Sequence, residues 1–144
     1  PIELKYKTLM TQMEVDGEYY NLKNHGAQDL GRYDYLIDVE RIELLKNTIS
    51  TFEKGYAIML SNDPSYWVVP RSSKETVCDS YRIHEGCKKS GTLSWIGNPG
   101  AGTIKNRERS INLAGDYMLQ WKEYSKLSSA RNGTFRYLLL EVGK

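Results

Sequence analysis

This 144-residue chain contains no apolar run near the ~20 residues that a helical membrane span requires, so no such span is expected. It holds only two cysteines, Cys78 and Cys87, which rules out a disulfide-built scaffold. Free thiols are the default of a reducing cytosol, and a cytoplasmic location is the expectation. With His84 between them the two cysteines offer three metal donors. That is one short of a structural zinc site, at a spacing that matches no common zinc pattern. Neither sign of charge dominates: 20 Lys/Arg against 18 Asp/Glu leave +2, so any surface that attracts a polyanion must be local. Phenylalanine is scarce, two residues against eleven tyrosines, which favours surfaces where an aromatic body carries a polar tip. The sequence shows neither a secretory signal nor an initiator Met. It reads as one domain over 1–144 whose start is trimmed, processed or N-terminally incomplete.

What is present is a series of alternating patterns. Ile2, Leu4 and Tyr6 alternate with Glu3, Lys5 and Lys7, the period-2 signature of a strand. TLMTQMEVDGEYYNLKNHG follows, with Asp16-Gly17 as a turn signal for a loop or hairpin. From about Ala27 to Lys46 the apolar period becomes helical. Leu30, Tyr33, Ile37, Leu44 and the pair Val39/Ile42 share a broad face, Asp34, Asp38, Arg41 and Glu43 crowd elsewhere, and Asn24 or His25-Gly26 would start the helix. GYAIMLSND (55–63) predicts a buried strand ended by Asp63-Pro64. PSYW predicts a short helix or turn, and YRIHEG (81–86) a short strand. INLAGDYMLQWKEY carries Tyr117, Leu119 and Trp121 at strand spacing, although a helix from Asp116 also fits. TFRYLLLEV (134–142) predicts a closing strand. Strand, helix, strand, irregular segment and strand in this order predict an α/β domain with a mixed sheet.

Glu3 and Lys5 lie two residues apart on a strand, so their side chains leave the same face. A metal-dependent nuclease uses that geometry: the carboxylate holds Mg²⁺, a hard cation with oxygen ligands. The neighbouring ammonium orients or helps deprotonate the attacking water and offsets charge on the scissile phosphate. Alone, three residues are weak evidence, because Glu-x-Lys occurs on many solvated strands.

The ordered series is more specific. ELKYK, then AQDLGRYD on the helix, GYAIMLSNDPSYW on the strand and turn, and the late YMLQWKEY and FRYLLL segments together resemble the PD-(D/E)XK, or restriction-endonuclease-like, nuclease superfamily. The closer resemblance is to a group of uncharacterised bacterial proteins with the same motif order. It runs from PIELKYKT to TFRYLLLEV. It implies a restriction-endonuclease-like mixed β-sheet flanked by helices, hydrolysis of DNA phosphodiesters, and Mg²⁺ or Mn²⁺ as cofactor. Carried over, Glu3 is the metal-binding acid and Lys5 the catalytic lysine. The superfamily's second acid, an Asp on a preceding core strand, has no counterpart here, since only Pro1 and Ile2 precede the motif. A truncated or inactive nuclease domain is therefore one expectation, and a non-catalytic nucleic-acid-binding or protein-interaction module on the same scaffold is the alternative.

Gln28 and Arg32 sit one helical turn apart and share a face. With Lys7 they are candidate DNA contacts, weighed evenly against a hydrogen-bonded helix start. Asp29 reads as a first-turn carboxylate favoured by the helix dipole. Asp63 reads as a turn opener. GNPGAGTIK lacks the Gly-Lys-[Ser/Thr] ending of a phosphate-binding loop. The Lys105, Arg107 and Arg109 that follow it offer backbone contacts to DNA or a plain solvated charge run. Tyr117, Trp121 and Tyr124 stack on bases or, more commonly at this spacing, fill a core. His25 and His84 have no nucleophile partner to form a triad. A strand edge exposed at the start of the chain predicts a homodimer that covers it.

Overall fold

The structure, a computed structural model, describes residues 1–143. The chain runs β1 (Ile2–Lys7), a hairpin of β2 (Thr11–Val15) and β3 (Glu18–Leu22), helix α1 (Gln28–Thr48), β4 (Lys54–Ser61), β5 (Lys88–Leu93), the single-turn α2 (Ala101–Ile104), β6 (Ile111–Met118), β7 (Trp121–Lys126) and β8 (Thr134–Gly143). Short 3₁₀ turns occupy Pro64–Tyr66 and Asp79–Tyr81. The main sheet has the order β1-β4-β8-β7 and is mixed, with β1 parallel to β4 and the other pairs antiparallel. β2–β3 and β5–β6 form two small antiparallel sheets. The mixed α/β class predicted from the element order is the observed one.

A parallel pair needs a long crossover, and here the hairpin and α1 supply it between β1 and β4. α1 buries Tyr35, Leu36, Val39 and Ile42 against Ala57 and Met59 of β4 and Leu138, Leu140 and Val142 of β8. Each fully buried aliphatic side chain of this kind contributes about 1.5–3 kcal/mol. The face predicted from spacing is half right: Val39 and Ile42 lie in the core, but Leu44 is 56% exposed. The charges do not all crowd outside. Asp38, Glu40 and Glu43 are buried because each finds a partner there. Glu43 accepts from the backbone N–H groups of Ala114 and Gly115 at 2.8 and 2.7 Å and from Tyr117 Oη at 2.7 Å, fastening β6 to the helix. Glu40 accepts from Asn112 N at 2.7 Å and pairs with Arg109. Burial alone would raise its pKa, but these two donors outweigh burial and hold its carboxyl below the usual range.

Several sequence expectations change. The helix starts without Asn24: Ala27 takes a left-handed conformation (φ 57°) and no side chain caps it. His25 instead fastens the preceding loop to the end of β1, its Nδ1 accepting from Thr8 N at 3.0 Å and its own N–H donating to Thr8 O at 2.7 Å. YRIHEG is not a strand, and KKSGTL, which carried no period-2 signal, is β5, held by its pairing with β6. INLAGDYMLQWKEY is two strands rather than a helix, broken at Leu119–Gln120. Within it, Trp121 is in the core and Tyr124 is 66% exposed. Asp16 and Gly17, both at positive φ, make the hairpin turn that their dipeptide signalled.

The sheet is not flanked by helices on both faces. α1 covers one face; on the other, among the described residues, Ile2, Leu4, Tyr6 and Leu139 remain exposed. The two cysteines are free thiols.

Candidate functional site

β1 turns its charged residues toward α1 and its apolar residues away. Glu3, Lys5 and Lys7 are half-buried, while Ile2 and Leu4 are 69% and 66% exposed. An inward charged row on a strand is stable only when it meets opposite charge, and α1 provides it. Lys5 Nζ lies 2.8 Å from Asp38 Oδ2. Arg41 reaches Glu3 Oε1 at 3.1 Å with one nitrogen and Asp38 Oδ1 at 3.5 Å with the other. Two carboxylates therefore bracket one guanidinium, with the Lys5 ammonium on the far side of Asp38. Asp38 is only 4% exposed at its side chain, whereas Arg41 is 57% exposed.

Burial pushes the Asp38 carboxyl above the usual range, and the hydrogen bond and charge of Lys5 only partly offset this. A carboxyl whose folded value is raised contributes stability that is fully present below the unfolded value. That contribution is lost as pH climbs through the folded value. Relative to Asp38→Asn, the unaltered protein should lose stability as pH rises from below the ordinary carboxylate range through the raised one. Urea titrations of both proteins at several pH values check this; a stability difference that does not move with pH would refute it.

The row continues to Lys7, where β1 meets the first turns of α1. Lys7 Cε lies 3.4 Å from the point where a Cβ on Gly31 would stand, and Tyr66 Oη overlaps that point. Glycine is required here because the tyrosine hydroxyl occupies the space of a side chain. Tyr66 is buried and its hydroxyl has no hydrogen-bond partner among the described residues, while burial drives its phenol far above its usual range. Gly31→Ala gains helix propensity but must displace that buried ring. It should cost about 1–3 kcal/mol net, read as a fall in the urea midpoint; a stabilised variant would show that Tyr66 yields easily.

The other sequence-selected residues divide. Gln28 Nε2 donates to Asp63 Oδ2 at 3.0 Å, and Arg32 Nη2 donates to Ser65 O at 2.9 Å while its guanidinium lies 5.7 Å from the Tyr66 ring centre. Arg32 is 5% exposed. Both residues join the start of α1 to the end of β4, which favours the hydrogen-bonded helix start. Asp63 is the turn opener expected of it, its Oδ1 accepting from Ser65 N at 2.9 Å. Asn62, fully buried, binds Leu9 N at 2.8 Å and Leu9 O at 3.2 Å, so the ends of β1 and β4 are locked together. Arg107 is committed to Asp34 through two hydrogen bonds, 2.7 and 2.9 Å. Arg107 is thus ion-paired within the fold and still partly exposed. Lys105, after α2, is exposed.

Asp38 and Arg41 were absent from the sequence-based site. A signal existed: Asp34, Asp38 and Arg41 recur at 3–4 residue spacing on α1, a charged stripe that can face Glu3 and Lys5 only if the helix packs on β1. Spacing within α1 cannot show that packing.

The fold and this charge cluster define a mixed α/β protein with an acid–lysine row on an edge strand beneath a helix. No family model, curated protein or solved structure matches the chain.

Proposed function

We propose that this chain is a PD-(D/E)XK-like nuclease domain that hydrolyses DNA phosphodiesters with the help of a divalent metal ion. The observation that carries the reading is the convergence of two carboxylates, Glu3 and Asp38, on one cation position beside the Lys5 ammonium. The arrangement of β1, crossover helix and parallel β4 agrees with the resemblance of the ELKYK-to-NDPSYW series.

The donor set fits Mg²⁺ or Mn²⁺. Both donors are hard carboxylate oxygens, and Mg²⁺ commonly takes one or two protein carboxylates and fills its other positions with water and phosphate oxygens. The position between the two acids already takes a cation, the solvent-exposed Arg41 guanidinium. When bound, the metal ion would supply Lewis-acid polarisation of the scissile phosphate. Glu3 and Asp38 would hold it. Lys5 places its ammonium where negative charge accumulates during attack and orients a water by hydrogen bonding. Lys7 extends positive charge along the same face, where a phosphodiester backbone would run. Asp38 in this reading is the second acid beside Glu3.

Divalent-dependent cleavage of plasmid and single-stranded DNA tests the reading, with Glu3→Ala and Lys5→Ala as controls. Cleavage that survives both substitutions unchanged refutes it. One observation favours the other reading, a non-catalytic binding module: both acids are already neutralised by Arg41 and Lys5. DNA binding that persists in EDTA with no cleavage under any divalent ion would establish that reading instead.

A further inference from the structure

We propose that β1 pairs edge to edge with β1 of a second copy of this chain, antiparallel, with Leu4 on the two-fold axis. This inference stands apart from the nuclease reading, because it rests on the free edge of the strand and its readout is association.

Among the described residues, β1 pairs with β4 on one side only. The bond from Tyr56 N to Pro1 O and the register Ile2↔Tyr56 fix which backbone groups are used. Residues 1, 3, 5 and 7 direct their backbone groups to β4. Ile2, Leu4 and Tyr6 direct theirs to the open edge. The edge is regular over all six residues, with no bulge and no internal proline. The opposite edge of the sheet is different: β7 carries a register shift between Glu123 and Ser125 and exposed charges at Lys122 and Lys126, the usual devices against strand addition. One edge is defended and the other is not.

An antiparallel pair joins only residues whose groups face each other, so Ile2, Leu4 and Tyr6 must meet Ile2, Leu4 and Tyr6 of the copy. Centring on Leu4 pairs Leu4 with Leu4 and Ile2 with Tyr6, each pair exchanging two hydrogen bonds. Between them fall Glu3 opposite Lys5 and Lys5 opposite Glu3, as non-hydrogen-bonded pairs with Cα atoms about 4.5 Å apart, the closest cross-strand geometry. Centring on Glu3 would oppose two carboxylates, and centring on Lys5 two ammonium groups; both are unfavourable. The sequence IELKYK is self-complementary in a single register, as a two-fold interface requires. Inward charges normally guard an edge, but here each is neutralised by Arg41 or Asp38 and each meets its opposite in the copy. A single strand pair buries less than the ~800 Å² per partner of a stable complex, so the association should be weak.

Amide hydrogen exchange and sedimentation equilibrium on the unaltered chain test this over a wide concentration range. The weight-average mass should rise from 16.6 kDa toward twice that value. The amides of Ile2, Leu4 and Tyr6 should gain protection in step, while those of Glu3 and Lys5 are protected throughout by β4. Leu4→Pro removes an edge-facing donor and should abolish association. Glu3→Lys and Lys5→Glu should each weaken self-association roughly tenfold or more, and an equal mixture of the two should restore it, because each lysine then faces a glutamate. A mass that stays at the monomer value overturns the proposal. So do growth beyond a dimer, edge amides indifferent to concentration, and Leu4→Pro associating as before. If a variant fails to fold, the exchange pattern of the unaltered chain decides alone.

Discussion

Lys5→Ala should lower divalent-dependent DNA cleavage by about 10²–10³-fold, the range expected for loss of one positioned charge or proton-transfer group. Two effects contribute and must be separated. Alanine removes the ammonium from the reacting phosphate, and it also removes the partner of Asp38, whose side chain is 4% exposed. An acid left buried without its cation costs several kcal/mol when fully enclosed. Lys5 is itself 25% exposed and water can enter, so a cost nearer 1–2 kcal/mol is expected. Lys5→Arg separates the two. It keeps the charge and the pair with Asp38, so stability should stay near that of the unaltered protein. Arginine does not release a proton and places its donors differently, so cleavage should stay depressed. Stability and activity falling together in Lys5→Ala and recovering together in Lys5→Arg would assign Lys5 a structural role. Glu3→Ala tests the acid. Its carboxylate is 30% exposed and bonded to an Arg41 that is 57% exposed, so Glu3→Ala should cost little stability and most of the activity.

The largest effect on folding should come from Glu43, which bonds β6 rather than the residues of that row. Glu43→Ala should destabilise the protein by about 2–4 kcal/mol. The carboxylate, 5% exposed, receives two backbone N–H groups and a tyrosine hydroxyl from β6. A hydrogen bond to a charged group is worth about 1.5–3 kcal/mol, and stranded donors add desolvation cost. Ala114 lies near solvent, so its N–H can recover a water and the total falls short of the simple sum. Glu43→Gln keeps one acceptor oxygen and the shape, and should cost about half as much. The urea midpoint with its slope unchanged measures both. A loss below about 0.5 kcal/mol in Glu43→Ala would mean that β6 is held by Ile111 and Leu113 in the core rather than by the carboxylate. No effect on cleavage beyond that of stability is expected, because Glu43 does not take part in the Glu3–Lys5–Asp38 cluster.

The nuclease reading and the edge pairing meet at β1. The copy's Lys5 would lie opposite Glu3, so pairing would place the two acid–lysine rows side by side. Leu4→Pro, which alters the edge without touching either charged side chain, asks whether cleavage and association are linked.

Period-2 and helical patterns in the sequence were enough to determine β1, α1, β4 and β8, because each buries a face whose spacing is set by its own backbone. Asp16-Gly17 marked a turn for a similar reason, since both positions take positive φ, but whether that turn closed a hairpin or a loop was left to the pairing of β2 with β3. The sequence also placed Glu3, Lys5 and Lys7 on one face of a strand. β5 was illegible, since KKSGTL has no periodic face and becomes a strand only through its partner β6. The burial of Asp38, Glu40 and Glu43 was equally hidden, because a carboxylate's burial is decided by the donors that another element brings to it. Which way β1 faces was decided only in the tertiary structure. Charged and apolar residues alternate on it with equal regularity, and nothing local says which side meets the helix. Asp38 and Arg41 on α1 settle it, drawing Glu3 and Lys5 inward and leaving Ile2, Leu4 and Tyr6 outside.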